Sequence, residues 1–545
     1  MRFTKQISEM KHKLNIKMHA LWAVALPACL LISTVVTVVA QGSGAHAKFS
    51  TTVQTIIDGD NGLGIGQLDN NSSCTFTGDP TSNVNLRCGS NPYEQFRETA
   101  IAVDPANPQH LLVGANDSVV SFAGHTGDFS VTVGYFVSFD GGHSWTGGRI
   151  PISGGAAADP APAFNRKYGT AHMAHIGVKC QFGPCTFNAE VSNSLDGGMT
   201  WGNSRRVAVG QGTNKATSML GVVNDKPWIV ADNNPSSPFF GRLYLTWSRF
   251  EVRFGLNYGS PIYMAYSDNA GMTWSSGVEI SGADSTYCTD TFGNRCADNQ
   301  FSTPMVLPSG NVVVHFFNVD HTAAYETPFE LDSQEMVVRS ANGGRTWSPP
   351  VHIADLEDGS SDYPPAAFVG YPTQTGYHFV TWAIQGATVD PVTGDLYAFW
   401  ADNRDGVHDS VTPVTQTNVF MTKSIDGGAT WSGPNRITGG PGDRWMPWAG
   451  AYNGAVRVMF YDASYEYPSR EHYFVTLATS PDGGASWSYE RIDTAPSTPG
   501  GTRTIGDYQG MVVDSLGRAH VVWTDMRRDS LTPGRKIRDI EYARR

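Results

Sequence analysis

Charge is what this chain has least of: Asp, Glu, Lys and Arg make up 16% of its 545 residues. Basic residues are the minority, 38 Lys and Arg against 50 Asp and Glu, and the net charge is −12. That balance argues against nucleic acid or an anionic membrane surface as partner, because both are gripped by basic patches. No Gly-x-Ser-x-Gly nucleophile elbow is present. Gly62-Leu63-Gly64-Ile65-Gly66 lacks the strand, spacing and helix of a nucleotide loop. His172 and His175 stand three apart on an expected strand, on opposite faces, which disfavours a metal pair. The acidic residues show no EF-hand spacing, although Asp oxygens could hold a structural Ca²⁺; no other cofactor is expected.

Long apolar runs are confined to the beginning. Met1–His19 carries Arg2, Lys5, Lys11, Lys13 and Lys17 against Glu9, and Ala20–Ala40 then runs without a charge. A basic region, an apolar core and small residues after it read as an export signal ending near residue 47. The run is also long enough to span a bilayer, so an uncleaved anchor is the alternative and the one membrane link expected. The expected location is secreted or otherwise extracytoplasmic. Cysteine agrees. Six follow the signal, and Cys74 with Cys88, Cys180 with Cys185, and Cys288 with Cys296 each lie close in sequence, so three local disulfides are expected in an oxidising compartment. Zinc is a weak alternative, since no ligand-pair spacing repeats. No low-complexity linker divides residues 48–545, which read as one domain with a disulfide-pinned excursion near 58–91.

What is abundant is turn chemistry and aromatic residues: 59 Gly, 31 Pro, 14 Trp and 21 Tyr, a composition that suits an all-β protein of short strands. One turn is written six times. Ser424-Ile425-Asp426-Gly427-Gly428-Ala429-Thr430-Trp431 has counterparts at Ser138–Trp145, Ser194–Trp201, Ser267–Trp274, Ser340–Trp347 and Ser480–Trp487. Asp accepts backbone N–H bonds, Gly supplies positive φ, and Ser or Thr closes the turn locally. The Trp offers a large apolar face to a neighbouring sheet. Six copies separated by roughly 55–85 residues signal a repeat architecture. Each belongs to a larger unit that opens with a first strand, often acidic at its start, and passes a Gly turn into an aromatic strand. Asp225–Val230 followed by Leu243–Trp247 is one example. Seven such first strands favour seven units. Six is the alternative, with Leu356–Trp382 as an insertion. The last unit, from Asp507, lacks the repeated turn and an outer strand, which Thr51–Ile57 is expected to supply.

The pattern S-x-D-x-G-x-T-W resembles the Asp-box, or BNR repeat, of the sialidase-like β-propellers. That resemblance implies an all-β propeller with Asp-box turns between the third and fourth strands of each blade, away from the active site. The Asp residues of the turns are therefore structural. First-strand starts and second-strand ends would share one mouth. The starts bring Arg97, Glu98, Asp159, Asp225, Lys226, Asp443, Arg444, Asp507 and Tyr508. The ends bring Asn116 and Asp117, Arg404 and Glu466, with Trp-x-Asp-x-Arg recurring at Trp400–Arg404 and Trp523–Arg527.

The family's sialidases use three arginines on the substrate carboxylate, an Asp acid/base and a Tyr nucleophile assisted by Glu. By position here, Arg97, Arg404 and Arg444 would be the triad, Asp117 the acid/base, Tyr508 the nucleophile and Glu466 its helper. Asp402 and Arg527 would add substrate contacts. Arg149-Ile150-Pro151 follows the first Asp-box instead of preceding it, and is set aside. The bland reading of the same residues is that strand-end Asp caps turns and Asp–Arg pairs tie units together. Three functions stay open. The first is an exported exo-α-sialidase-type glycoside hydrolase acting on terminal sialic acid or related anionic sugars. The second is a non-catalytic propeller binding glycans or proteins at the cell surface. The third is a polysaccharide-cleaving glycosidase with two catalytic Asp. The expected partner of the enzymatic readings is a carbohydrate or glycoconjugate substrate.

Overall fold

The computed structural model describes residues 49–50, 53, 74–87, 94–120, 129–152, 155–180, 185–211, 220–253, 256–257, 259–288, 294–319, 333–357, 386–408, 414–499, 504–529 and 536–545. The apolar run at residues 20–40 lies outside them. Among the described residues no helix is long and apolar enough to cross a membrane.

The chain is all-β. Its strands form six sheets, the largest of which holds two successive meanders linked by the single parallel pair Val223–Phe187. Among the described residues, antiparallel four-stranded meanders follow one another over residues 94–149, 156–208, 220–279, 299–356, 386–436 and 444–491, and a seventh over 510–544 has three strands of its own. Their strands are rich in β-branched and aromatic residues, as in Leu396–Asp402 (LYAFWAD), which fit a pleated surface buried on both faces. The first strands pack side by side in a closed circuit. Glu94–Asp104 meets Ala156–Asn165, and the series continues through Leu220–Ala231, Asn299–Val306, Gly386–Val389 and Arg444–Tyr452. Gly510–Val513 then returns to Glu94–Asp104. The core is distributed accordingly, as apolar clusters between neighbouring meanders. Leu112, Val137, Phe164 and Met173 join the first to the second, and Tyr244, Met264, Val314 and Val338 the third to the fourth.

The last meander has three strands of its own and borrows the fourth. Val84–Asn85, not Thr51–Ile57, pairs with the final strand Asp539–Arg544. Val84 packs there with Trp145, Ile540 and Tyr542. Val53, from the segment expected to do this, is buried instead beside Val223 and Phe250. Cys74–Thr77 adds a fifth strand outside the first meander, so residues 74–85 close the ring and cover an edge that would otherwise stand open. Cys288 and Cys296 form a disulfide; Cys74 and Cys185 are also disulfide-bonded.

The six repeated turns each join a third strand to the chain before its outer strand, and they share one hydrogen-bond plan. Ser424 Oγ donates to Asp426 Oδ1 (2.9 Å) and accepts from Gly428 N–H (2.9 Å). Asp426 also accepts from the Thr430 N–H (3.0 Å) and hydroxyl (2.6 Å). Asn269 and Asn342 take the Asp role in two turns. Each turn also docks on the preceding meander. Gly141 O accepts from Arg544 Nη1 (2.9 Å), Gly197 O meets His110 Nε2 (2.7 Å), and Gly343 O accepts from Arg242 Nη1 (2.7 Å). The first of these contacts joins the two ends of the circuit. A Cβ on Gly142, at φ 92°, would lie 2.3 Å from the Tyr542 ring, so only glycine fits that junction.

Hydrogen bonds from Thr430 hold the Asp426 carboxyl down at about 2. A depressed carboxyl stabilises the fold above its unfolded pKa, near 4, and loses that contribution as pH falls through about 2. Asp426→Asn should therefore melt below wild type at pH 7, with the gap closing toward pH 2. Ser424→Ala, which strips the buried Gly428 N–H of its acceptor, should cost about 1–3 kcal/mol at either pH by chemical denaturation.

Candidate functional site

Five of the seven first strands break register at the same place. The shifts fall between Arg97 and Ala100, Ala158 and Ala161, Asp225 and Trp228, Gln300 and Thr303, and Trp445 and Trp448. In each bulge one non-glycine residue has left-handed backbone: Glu98 (φ 56°), Asp159 (56°), Lys226 (49°), Phe301 (56°) and Met446 (51°). Such a conformation costs a side-chain-bearing residue on the order of 1–2 kcal/mol. What the bulge gains is a change of aim for its side chain. Three consecutive meanders use it to hold an ionisable residue, Glu98, Asp159 or Lys226, at the bulge.

Glu98 and Asp159 share one amide. Asn116, opposite Arg97 in the second strand of the first meander, donates from Nδ2 to Glu98 Oε2. The same nitrogen stands 3.5 Å from Asp159 Oδ1, and Asn116 Oδ1 accepts the Asp159 N–H at 2.7 Å. Two oxygens reached by one nitrogen are about 6 Å apart or less. Lys226 Nζ sits over the faces of Tyr508 (3.4 Å to the centroid) and Trp228 (4.0 Å), a desolvated cation–π pair. Lys226 Nζ and Asp159 Oδ2 are buried without a hydrogen-bond partner among the described residues. Trp228 also meets Trp448 (centroids 5.0 Å) and Tyr508 (5.8 Å), which links the third meander to the sixth and seventh.

The cluster is dry: Glu98 and Asp159 are 0% exposed, Lys226 and Tyr508 2%. Burial, then the neighbouring Glu98 and Asp225 carboxylates, pushes the Asp159 carboxyl well above the usual range. Burial pulls the Lys226 ammonium down to about 8, against the attraction of Asp159, Glu98, Asp225 and Asp507. The Tyr508 phenol is pushed up by burial and by the same carboxylates. Among the described residues, no group of three or more His, Cys, Asp or Glu side chains is placed to hold a metal ion.

Of the residues singled out from sequence, Tyr508 lies in this cluster. Arg97 is buried next to it, with Nε 3.8 Å from Glu98 Oε1. Asp117 points away from Asn116, as strand alternation requires, and its Oδ2 is held by Arg149 Nε at 2.6 Å; the arginine of the set-aside Arg-Ile-Pro run is thus its partner. Glu466 lies in a short 3-10 turn at Ser464–Glu466 and meets His472 Nδ1 at 2.7 Å. Arg444 reaches Asp462 Oδ1 (3.6 Å) and the carbonyls of Gly440 and Gly442 (3.1 Å each).

Both Trp-x-Asp-x-Arg runs close on themselves. Asp402 accepts from Trp400 Nε1 (3.0 Å) and Arg404 Nε (2.9 Å). Asp525 likewise accepts from Trp523 Nε1 (3.4 Å) and Arg527 Nε (2.8 Å). Arg404 and Arg527 are thus each bound to the Asp two residues before them. The residues that do converge with Tyr508 — Glu98, Asp159, Lys226 and Asn116 — stood in the sequence among the strand starts and ends without being chosen. Their signal was an ionisable residue followed by Thr or Pro at a first-strand start, as in Glu98-Thr99, Asp159-Pro160 and Lys226-Pro227.

No protein-family model matches the chain, and no curated protein sequence does. Solved structures do. A Hadza microbial sialidase is 13% identical, with 86% of this chain and 94% of that chain covered and a TM-score of 0.39. The NanB sialidase from Streptococcus pneumoniae is 12% identical over 86% of this chain and 70% of its own, TM-score 0.40. An alpha-L-arabinanase from Penicillium chrysogenum is 16% identical over 70% and 92%, TM-score 0.39. At these values the functional reading rests on the residues of the site.

The raised Asp159 carboxyl has a measurable consequence. Between its unfolded pKa near 4 and its higher folded pKa, the unfolded chain has released a proton that the folded chain still holds, so wild-type stability falls as pH rises. Asp159→Asn removes that loss, worth about 1.4 kcal/mol per pH unit between the two values. The variant should therefore be the more stable protein at pH 7, with its advantage gone near pH 4 in denaturant titrations.

Proposed function

We propose that this chain is an exported glycoside hydrolase built on a seven-bladed, sialidase-like β-propeller. The meanders would be its blades, the repeated turns its Asp-boxes, and Glu98 with Asp159 its reaction centre. The observation that carries this reading is the single Asn116 amide serving both buried carboxyl groups. Their separation of about 6 Å or less suits the retaining geometry better than the wider inverting one. Asp159, whose carboxyl burial and the neighbouring carboxylates push well above the usual range, would give its proton to the glycosidic oxygen as the bond to the leaving group breaks. Glu98, oriented by Asn116, would attack the anomeric carbon and form a glycosyl ester. Asp159, now a carboxylate, would take a proton from the water that hydrolyses that ester, which restores both groups.

Lys226, clamped between two rings, would balance the negative charge of the Glu98 carboxylate and position it. No cofactor is needed. The dry setting strengthens these interactions, and it also requires the cluster to open before a sugar can enter.

A second reading is an exo-α-sialidase with Tyr508 as nucleophile, favoured by the placement of Tyr508 beside Glu98, which could accept its proton. Arg97, of the proposed arginine triad, is buried beside that cluster with Nε 3.8 Å from Glu98 Oε1.

Turnover of fluorogenic glycosides, neutral and sialylated, by the exported chain separates the readings. The carboxyl-pair mechanism predicts losses of about 10³-fold or more in kcat for both Glu98→Gln and Asp159→Asn, with Tyr508→Phe retaining activity. Loss in Tyr508→Phe with turnover of the sialoside alone supports the second reading. No turnover of any glycoside by the folded chain removes both and leaves a binding propeller.

A further inference from the structure

Asp225, the residue before Lys226, has every oxygen occupied. Oδ2 accepts from Ser50 N–H (2.6 Å) and Gln300 Nε2 (2.9 Å). Oδ1 accepts from the Ser50 hydroxyl (2.9 Å) and the Lys226 N–H (2.8 Å). Gln300 and Lys226 are neighbours in adjoining first strands, whereas Ser50 arrives from 175 residues away in sequence. It is held by apolar residues on either side. The Phe49 ring packs on Phe250 at 4.6 Å between centroids. Val53, whose N–H donates to Ser50 Oγ (3.2 Å), is 0% exposed among Val178, Phe187, Val223 and Phe250.

Other strand-start and strand-end carboxylates also take Ser or Thr donors: Asp525 Oδ2 accepts from Ser497 Oγ (3.2 Å), and Asp443 takes the Thr417 N–H (3.0 Å) and hydroxyl (3.4 Å) on the one oxygen Oδ1. Asp225 instead offers both oxygens to two donors, one N–H and one O–H, carried by a single residue from a distant part of the chain. Two adjacent donors on the two oxygens of one carboxylate are also what a sugar with neighbouring hydroxyl groups presents, and such charge-assisted bonds are strong and directional. An acceptor-only site of this kind takes hydroxyls and rejects a sugar carboxylate.

We propose that Asp225, oriented by Gln300, is the hydroxyl-binding subsite of the centre, and that Ser50 fills it as an internal stand-in for a neutral sugar bearing a vicinal diol. Phe49, Ser50 and Val53 then act as a strap. While Ser50 is on Asp225 the cluster stays dry, and withdrawal of the strap uncovers the subsite and the Glu98–Asp159 pair together. The inference rests on the glycoside hydrolase reading for its substrate class. The strap itself does not, because its contacts stand whatever the site does.

The test reads access to Lys226, whose depressed pKa makes it a good nucleophile once water and reagent can reach it. Exported wild-type chain, Ser50→Ala and Ser50→Pro are treated with acetic anhydride at pH 8, and acetylation at Lys226 is followed by peptide mass spectrometry. Removing both Ser50 donors should raise labelling about tenfold or more in Ser50→Pro. Ser50→Ala, which keeps the N–H and strains nothing, should raise it by less. Unchanged labelling in both variants overturns the strap.

The same labelling is then repeated on Ser50→Pro with saturating L-arabinose, D-galactose, D-xylose or N-acetylneuraminic acid, and on Ser50→Pro/Asp225→Asn. A neutral sugar should protect Lys226 in the first protein and fail to do so in the second. Protection by none of the sugars, or equal protection in both proteins, overturns the subsite. Neither result depends on turnover. Labelling and protection as expected, with no glycoside hydrolysed by any variant, would remove the hydrolase reading and leave a strap-gated sugar-binding site.

Discussion

The structure depends on how its innermost strands meet. Seven first strands run side by side around a closed circuit, and in five of them a bulge places one non-glycine residue in the left-handed region. Without the bulge, strand alternation would send Glu98, Asp159 and Lys226 against the face of a neighbouring sheet. With it, all three aim at one another and at Tyr508. The same device in the fourth and sixth meanders carries Phe301 and Met446, so the backbone repeat is general and the chemistry is local to three consecutive units. Strain concentrated in this way persists only where the surroundings over-determine it.

Those surroundings are the outer parts of the molecule. Apolar clusters glue each meander to the next, and the repeated Ser–Asp turns clamp onto the meander before them. Val84–Asn85 closes the last sheet. The division of labour is spatial. The turns carry ionised, well-solvated Asp residues with depressed pKa values, each satisfied within its own loop. The centre carries Asp159 and Asp225 with carboxyls raised by burial and Lys226 with its ammonium pulled down. The stable periphery offsets the unfavourable electrostatics of the centre. A polar cluster that lowers stability is most readily understood as one retained for chemistry.

The turns were fully legible in the sequence, because their hydrogen bonds run between residues at most four apart and the motif contains its own partners. First-strand starts were legible too, and with them the set of residues from which the centre is drawn. What the sequence concealed was the third dimension of that set. Asn116 and Asp117 look equivalent as letters, yet alternation gives one to the centre and the other to Arg149. Trp-x-Asp-x-Arg looks like a row of ligands, yet spacing by two puts all three side chains on one face, where they satisfy each other. The bulges leave no composition signal beyond a following Thr or Pro. The closing strand escaped notice because two residues carry no periodicity. The contact of Ser50 with Asp225 spans too many residues for any local pattern to announce it.

The central claim is that Glu98 and Asp159 form one reacting pair. The most direct measurement is covalent trapping, with activated 2-deoxy-2-fluoro glycosyl fluorides of neutral sugars incubated with the chain from Gln41 onward and its Asp159→Asn variant, followed by peptide mapping. The account predicts a single glycosyl ester on the Glu98 peptide of the wild-type chain. In the variant the ester still forms from the activated donor and turns over more slowly. A label on Tyr508, or an intact chain that never becomes labelled, would contradict it.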